Sequence, residues 1–337
     1  MTDAMILVLA LRDPKSTTSL DWDGWTALLT IARAERLVGT LSKRLHDIAL
    51  PKAVAAIVAD ELTNAAYQRR SALWEAECAL LAMAHYKSKI LLMKGTAYAA
   101  AELAAGEGRH IGDLDIMVAR SDLAQVEAML LAAGWEWVKE DAYDDAYYRD
   151  HMHELPPLIH KERDRMIDVH HTVLPLTARP LPDAAVMLAD AIPATDGLHI
   201  MSPVDMVCHC AAHLIADGDL SGGLRNLWDM HCLIEEFRTA DTGFHGVLKA
   251  RAIHHQLWPA VHRAARLAHL LYGTQIPPEW HRPNWYDYWF ILRLTARNQW
   301  GQPNRKFIRF AFYVRSHLLR MPPRLLIRHL WTKWSKR

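Results

Sequence analysis

The sequence of 337 residues lacks the features that mark membrane-spanning and secreted proteins. It has no apolar run near the roughly 18 residues that a membrane helix needs. Its N-terminus has a short apolar patch, but neither a basic segment nor a small-residue cleavage site. We therefore expect this patch to form part of the first helix and not a signal peptide. The cytoplasm is the expected location.

Cysteine is also scarce, with only four residues at irregular spacings that do not suit a disulfide framework. Cys208-His209-Cys210 followed by His213 raises the question of a zinc site. Zinc-binding pairs are normally separated by two to four residues, and a helical pattern here would point the two cysteines to different faces. We therefore favour a helix over a zinc site.

Acidic residues are absent beyond Asp287, where twelve Lys and Arg residues stand. The net charge of +1 hides this polarity, because the preceding part carries 27 basic and 38 acidic residues. The basic C-terminal region is expected to face a polyanion or an acidic partner. This region could bind an acceptor, a nucleic acid or a membrane surface, and Trp331 and Trp334 suit a helix at a membrane interface. The alternative is that it covers the acidic remainder of the protein.

Hydrophobic periodicity divides the chain into three parts. Residues 1–85 are expected to form an N-terminal helical segment that includes a long amphipathic helix from Pro51 to about Tyr86. Residues 86–180 are predicted to form an α/β core. Residues 181–337 are predicted to form a C-terminal helical domain with a basic tail, opened by a helix with a Ser202 cap and broken near Pro303 and Pro322-Pro323.

The central part alternates strand and helix patterns. The segments KILLMKG, DLDIMVA, WEWVKE, HELPPLIHK and RMIDVHHTVL are predicted strands, the last two forming a hairpin around Glu162–Arg165. A helix is expected from Thr96 to about Ala105, and a second one, capped by Ser121, ends before Gly134. Residues 141–150 are interpreted as an acidic, tyrosine-rich connection. The predicted fold is a mixed sheet with large helical additions.

Two carboxylates, Asp113 and Asp115, stand on one predicted strand and point to the same face. They repel each other unless a divalent cation or a shared proton relieves them. Asp168 lies in an apolar strand, where an unpaired charge is costly, so it is the candidate third carboxylate. Three such groups together can hold two divalent metal ions for a phosphoryl displacement.

The apolar strand before these carboxylates ends in Lys94-Gly95-Thr96, at the start of a helix. Backbone N–H groups at such a turn, with the lysine, suit a triphosphate. Gly95 is expected because a side chain would obstruct the close approach of the backbone to phosphate. Lys94 either binds phosphate or pairs with a carboxylate.

Several motifs occur in order: LLMKGTA, then Arg109 and GDLDIMV, then AAGW and IDVHH, and later HLIADGDLSGGLRNLWDM. The arrangement resembles the DNA polymerase beta-like nucleotidyltransferase superfamily. More narrowly, it is similar to a bacterial family of largely uncharacterised nucleotidyltransferase-like proteins, over about residues 85–235. The chain departs from many superfamily members by having Gly-Thr in place of Gly-Ser and a longer run to Asp-x-Asp.

The resemblance implies that Asp113 and Asp115 bind catalytic Mg2+ or Mn2+, and that Asp168 completes the set and helps to deprotonate the attacking hydroxyl. It also implies that Arg225 and Asp229 face the nucleotide cleft. Spacing alone leaves open that these two form a simple pair on a helix surface.

Three further residues are candidates for the site. Arg109 either contacts phosphate or orders the loop before the first aspartate. Strand alternation points His170 towards the site. His213 shares a helix face with His209, and such a pair can bind a metal ion, but we favour a hydrogen-bonded core or cleft histidine.

The expected function is Mg-dependent transfer of a nucleotidyl group from a nucleoside triphosphate to an acceptor hydroxyl or phosphate. The acceptor is open between a small molecule, a sugar, a peptide and a protein. Two alternatives stay open, because a fold does not dictate its donor. One is glycosyl or other transfer from a nucleotide-activated donor, and the other is a non-catalytic nucleotide-binding or interaction protein.

Overall fold

The computed structural model describes residues 4–139, 141–195, 197–282 and 284–321. The predicted break at Pro322-Pro323 and the predicted interfacial helix with Trp331 and Trp334 lie outside the described residues. Within them, no helix is both long and apolar enough to cross a membrane.

The N-terminal part is helical, as predicted. Asp21 caps the second helix by accepting a hydrogen bond from the Gly24 N–H at 2.8 Å, which satisfies one of the free donors at the helix start. The long helix begins directly after Pro51 and contains no proline. The four helices are α1 (Met5–Arg12), α2 (Trp22–Ala34), α3 (Val38–Arg44) and α4 (Lys52–Ala82).

In the described part of the chain, seven short strands form one mixed sheet, which confirms the predicted fold class. The strands are β1 (Ile90–Leu92), β2 (Leu114–Met117), β3 (Trp135–Trp137), β4 (Leu158–His160), β5 (Met166–His170), β6 (Ile192–Thr195) and β7 (Leu198–Ile200). Their order across the sheet is β3-β4-β5-β2-β1-β7-β6. The hairpin between β4 and β5 is the predicted one.

Strands β6 and β7 extend the sheet past residue 180, and the sequence patterns did not predict them. β7 pairs in parallel with β1, so a segment of only three residues lies next to the first strand of the core. Such short runs carry almost no periodicity. The division into three parts stays a prediction, since one apolar core includes buried residues such as Leu7, Leu92 and Leu227 from all three.

One helix follows each of the first three strands: α5 (Lys94–Ala100), α6 (Leu123–Ala132) and α7 (Ala142–His151). α7 corrects the interpretation of residues 141–150 as a connection, because Asp141 accepts hydrogen bonds from two N–H groups of the first turn and starts a helix there. The predicted cap at Ser121 is also wrong. The Ser121 hydroxyl bonds instead to the carboxylate of Asp122 at 2.7 Å, in a 3-10 turn that precedes α6.

The helices from Ser202 onward follow the predicted pattern, whereas a short helix before it, at Ala184–Ala189, was not predicted. Ser202 caps α9 and Pro203 takes its first position, as expected. α9 continues into a π-helical turn at Ala212–Asp217, a feature frequent near functional sites. The helices are α8 (Ala184–Ala189), α9 (Pro203–Ala211), α10 (Gly223–Ala240), α11 (Phe244–His254), α12 (Trp258–Tyr272), α13 (Trp285–Leu294) and α14 (Lys306–Arg320).

Part of the basic C-terminal region pairs within the chain. Arg297 lies 2.7 Å from the Glu35 carboxylate, and Arg293 lies 3.5 Å from Asp219. Arg315 donates to the Ile215 carbonyl at 2.7 Å. These contacts agree with a basic segment that covers the acidic remainder of the protein. An external polyanion or acidic partner stays a prediction.

Candidate active site

Three carboxylates meet at one end of the central strands. Asp115 on β2 stands directly opposite Asp168 on β5 in parallel register, and Asp113 immediately precedes β2. One oxygen from each of the three lies within 4.8 Å of the others. Asp113 is exposed, Asp168 half-buried and Asp115 buried. The prediction that these strands are neighbours is confirmed, while the catalytic roles stay predictions.

Asp115 is held by two partners. Lys94 donates from Nζ to Asp115 Oδ1 at 2.6 Å, and His170 Nε2 lies 3.0 Å from the same oxygen. Burial alone would raise the pKa of Asp115, but the Lys94 charge and the His170 hydrogen bond outweigh it and hold the pKa well below its usual range. Asp115 is therefore an ionised carboxylate with a cation already beside it.

Lys94 itself adopts an uncommon backbone conformation, with a φ of 48°. A non-glycine residue in the left-handed region costs roughly 1 kcal/mol or more and persists where the surroundings impose it. Burial works to lower the pKa of Lys94, but the carboxylates of Asp115 and Asp113 raise it above its usual value. Of the two predicted roles, the structure shows the pairing with a carboxylate.

Asp168 differs from Asp115 because it has no cationic partner at bonding distance among the described residues. Its Oδ1 is buried and has no hydrogen-bond partner there. Burial, together with the neighbouring carboxylates of Asp115 and Glu154, raises the pKa of Asp168 to about 7. An oxygen in this state is available to a proton or to a metal ion.

A second group of charges lies beside the carboxylates. Asp229 accepts from Arg109 Nη1 and, at 2.9 Å, from Arg225 Nη2. Arg225 Nη1 also donates to Thr40 Oγ1 at 2.9 Å, and Arg109 stacks over the Tyr98 ring at 5.4 Å. Arg225 and Asp229 are buried, so the interpretation of a simple helix-surface pair is wrong.

Gly95 is needed, but the contact that requires it differs from the expected one. A Cβ atom at this position would lie 2.5 Å from Arg109 Nε. The glycine therefore makes room for the arginine. Gly108, with a φ of 63°, makes a similar close approach, since its Cβ would lie 2.3 Å from the Gly39 carbonyl oxygen. The two glycines fix the loop that carries Arg109.

A cavity of about 430 Å3 opens between these groups. The predicted residues that line it are Lys94, Gly95, Arg109, Asp113, Asp115, His213 and Arg225. The other predicted residues, Thr96, Asp168, His170 and Asp229, lie outside its lining. Thr96 is only 1% exposed. Burial, and then the Lys94 charge, lower the pKa of His213 to about 3, so this cavity histidine is neutral.

Several residues in and beside the cavity carried little or no recognisable signal in the sequence. Arg36 and Arg297 come from opposite ends of the chain, and only the folded structure brings them to the cavity. His153 and Glu154 lie beside His170, where Glu154 forms a bridge to that strand. The only available signal for them was the cluster of acidic and histidine residues in HMHE before Leu155.

The chain was compared with known proteins. The sequence model of a family described as an uncharacterised nucleotidyltransferase matches residues 21–273, which is 253 of 337 residues. The chain belongs to this nucleotidyltransferase family. The match extends the expected resemblance at both ends, from α2 to just beyond α12. No curated protein and no solved structure matches. Membership in the nucleotidyltransferase family supports nucleotidyl transfer in general and a nucleotide as substrate.

Proposed function

We propose that this nucleotidyltransferase is metal-dependent and moves a nucleotidyl group from a nucleoside triphosphate to an acceptor hydroxyl or phosphate. The observation that carries the proposal is the meeting of three carboxylates within 4.8 Å beside a cavity lined with basic side chains. We also propose a DNA polymerase beta-like core, because Asp115 in the Asp-x-Asp pair and the third aspartate stand opposite each other on parallel strands.

The donor set fits Mg2+ or Mn2+. Both ions prefer oxygen ligands, and Mg2+ is usually held by one or two carboxylates, with substrate phosphates completing its shell. Asp168 Oδ1 is buried without a hydrogen-bond partner among the described residues, as expected of an atom that awaits a ligand. When bound, the ion would neutralise the triphosphate and the charge that develops during displacement.

Each carboxylate has a distinct task in this proposal. Asp113 and Asp115 would hold the metal ion, and the hydrogen bonds from Lys94 and His170 fix the orientation of Asp115. Asp168 completes the set and accepts the proton of the attacking hydroxyl. The pKa of Asp168 is raised to about 7 in the metal-free site, and a bound cation would lower it again, so that the carboxylate would be ionised and able to accept a proton at neutral pH.

The basic side chains of the cavity bind the triphosphate. Nε of both Arg109 and Arg225 is buried without a hydrogen-bond partner in the described part of the chain. Guanidinium groups suit phosphate oxygens because several donors are fixed in one plane. Asp229 holds the two guanidiniums in place. Lys94 would exchange its contact with Asp115 for one with phosphate as the donor binds.

The test is a transfer assay with each labelled nucleoside triphosphate, Mg2+ and panels of peptide and saccharide acceptors. We expect labelled acceptor and pyrophosphate with wild type, and a loss of at least about 100-fold in Asp113→Asn. Asp113 is exposed, so this change leaves the fold intact. Asp164→Asn is the matched control, because Asp164 is exposed in the β4–β5 turn and its φ of 53° suits asparagine.

Two outcomes would contradict the proposal. Turnover with nucleotide sugars alone would assign the site to glycosyl transfer. Absence of metal-dependent nucleotide binding would assign the protein to the non-catalytic class.

A further inference from the structure

A second cluster of potential metal ligands lies next to the three carboxylates. It consists of His153, Glu154 and His170, each of which offers one ligand atom within 4.8 Å of the others. His153 and His170 pack with ring centroids 5.3 Å apart and an angle of 30° between the rings. The cluster therefore combines two imidazoles with one carboxylate, whereas the neighbouring site contains only oxygen donors.

The spacing of these atoms matches that of ligands around one ion. Glu154 Oε2 lies 3.4 Å from His170 Nδ1 and 3.6 Å from His153 Nε2. These distances are longer than ordinary hydrogen bonds. Ligand atoms about 2.0–2.1 Å from a tetrahedral zinc ion lie about 3.3 Å apart, by the geometry of the tetrahedron.

The hydrogen bonding of His170 prepares it to bind a metal ion. The Asp115 carboxylate only accepts, so the hydrogen bond at 3.0 Å puts a proton on His170 Nε2. Nδ1 is then the ring nitrogen left to bind a metal ion. This nitrogen is buried, in a residue that is 2% exposed, and it has no hydrogen-bond partner among the described residues. Histidines that bind metals usually donate their other N–H to a carboxylate in this way.

We propose that His153, Glu154 and His170 form a binding site for Zn2+ or a similar transition-metal ion, distinct from the oxygen site of Asp113, Asp115 and Asp168. Imidazole nitrogen favours zinc and its neighbours over Mg2+. Three protein ligands leave a fourth position open, as in catalytic zinc sites. Asp115 connects the two sites: it stands opposite Asp168 in the oxygen site, and its hydrogen bond with His170 orients a ligand of the second site.

The experiment measures metal binding by the full-length chain without nucleotide. The protein is freed of metal with EDTA and placed in a large excess of Mg2+, which fills the oxygen site. It is then titrated with Co2+, whose visible absorption reports coordination, and Zn2+ is added in competition. We expect one equivalent of Co2+ that Zn2+ displaces and Mg2+ does not.

Variants separate this site from the carboxylates. His153→Ala and Glu154→Gln should each weaken binding by more than the roughly 10- to 100-fold that the loss of a supporting residue costs. His171→Gln is the matched control, because His171 is buried next to His170 but lies outside the cluster, and it should bind as wild type does. Asp168→Asn should also retain the ion. Thermal unfolding in EDTA checks that each variant is folded. If His153→Ala does not fold, Glu154→Gln still tests the site, because it keeps the shape of the side chain.

Three results would overturn the proposal: no zinc bound in excess Mg2+, unchanged affinity in both cluster variants, or loss of zinc in Asp168→Asn. The outcome does not depend on nucleotidyl transfer, since no nucleotide is present. A failure of the zinc site would thus leave the proposed transfer reaction standing, and the reverse also holds.

Discussion

Replacing Asp168 with asparagine should stabilise the metal-free protein. Burial and neighbouring carboxylates raise the pKa of this group to about 7, against 3.8 for a free aspartate. A shift of about three pKa units at about 1.4 kcal/mol each sets a ceiling of roughly 4 kcal/mol. Asp168 is only half-buried, so solvent screening lowers this value, and we expect a gain of about 2 kcal/mol from Asp168→Asn.

The gain should depend on pH with a defined sign. Between pH 4 and 7 the folded wild type binds a proton at Asp168 that the unfolded chain has released, so its stability falls as the pH rises through this range. Asparagine does not titrate. The advantage of Asp168→Asn should therefore be absent near pH 4, grow up to about pH 7 and stay constant above it.

The assay is thermal unfolding in EDTA at several pH values. At pH 8 we expect the variant to melt roughly 3 °C or more above wild type. Asp164→Asn, in the exposed β4–β5 turn, should change stability by less than about 0.5 kcal/mol. Saturating Mg2+ should shrink or reverse the advantage, because a ligand that binds only the folded wild-type site stabilises it. An unchanged or less stable variant in EDTA at pH 8, or a gain independent of pH, would refute the reasoning.

Three further changes test other contacts of the site. Asp229→Asn leaves the guanidiniums of Arg109 and Arg225 buried without their counter-charge. The free energy of unfolding, measured in urea, should therefore fall by about 3–5 kcal/mol, and a loss below about 1 kcal/mol would contradict this. Gly95→Ala places a Cβ 2.5 Å from Arg109 Nε and should cost about 1–3 kcal/mol in the same assay, whereas a neutral result would show that the arginine moves freely. Lys94→Met should weaken triphosphate binding by roughly 10-fold or more. Mg2+ binding, measured by calorimetry, should be kept or strengthened, because the lysine that competes for the Asp115 carboxylate is removed. Weaker Mg2+ binding would contradict this role of Lys94.

The sequence predicted the carboxylate site well because elementary rules act on it directly. Alternation along a strand placed Asp113 and Asp115 together, and the cost of an unpaired buried charge singled out Asp168. The register of β2 and β5 then puts Asp115 opposite Asp168. The strand segments around them were also predictable, since each is apolar and bounded by turns.

Other features arise only from tertiary contacts. Arg109 meets Asp229 across 120 residues of chain, and no local pattern encodes that pairing. Gly95 is a similar case, because a side chain at this position would collide with Arg109, which lies far from it in the sequence. Glu154 escaped notice because it lies outside any regular strand of its own and reaches His170 through an isolated bridge.

The most direct test of the central claim is nucleoside triphosphate binding measured by calorimetry with and without Mg2+. The claim is that the carboxylates and the basic cavity bind metal and triphosphate together. We expect tight binding by wild type only with Mg2+, a loss of roughly 10-fold or more in Asp113→Asn, and wild-type affinity in Asp164→Asn. Equal affinity without Mg2+, or full affinity in Asp113→Asn, would contradict the claim.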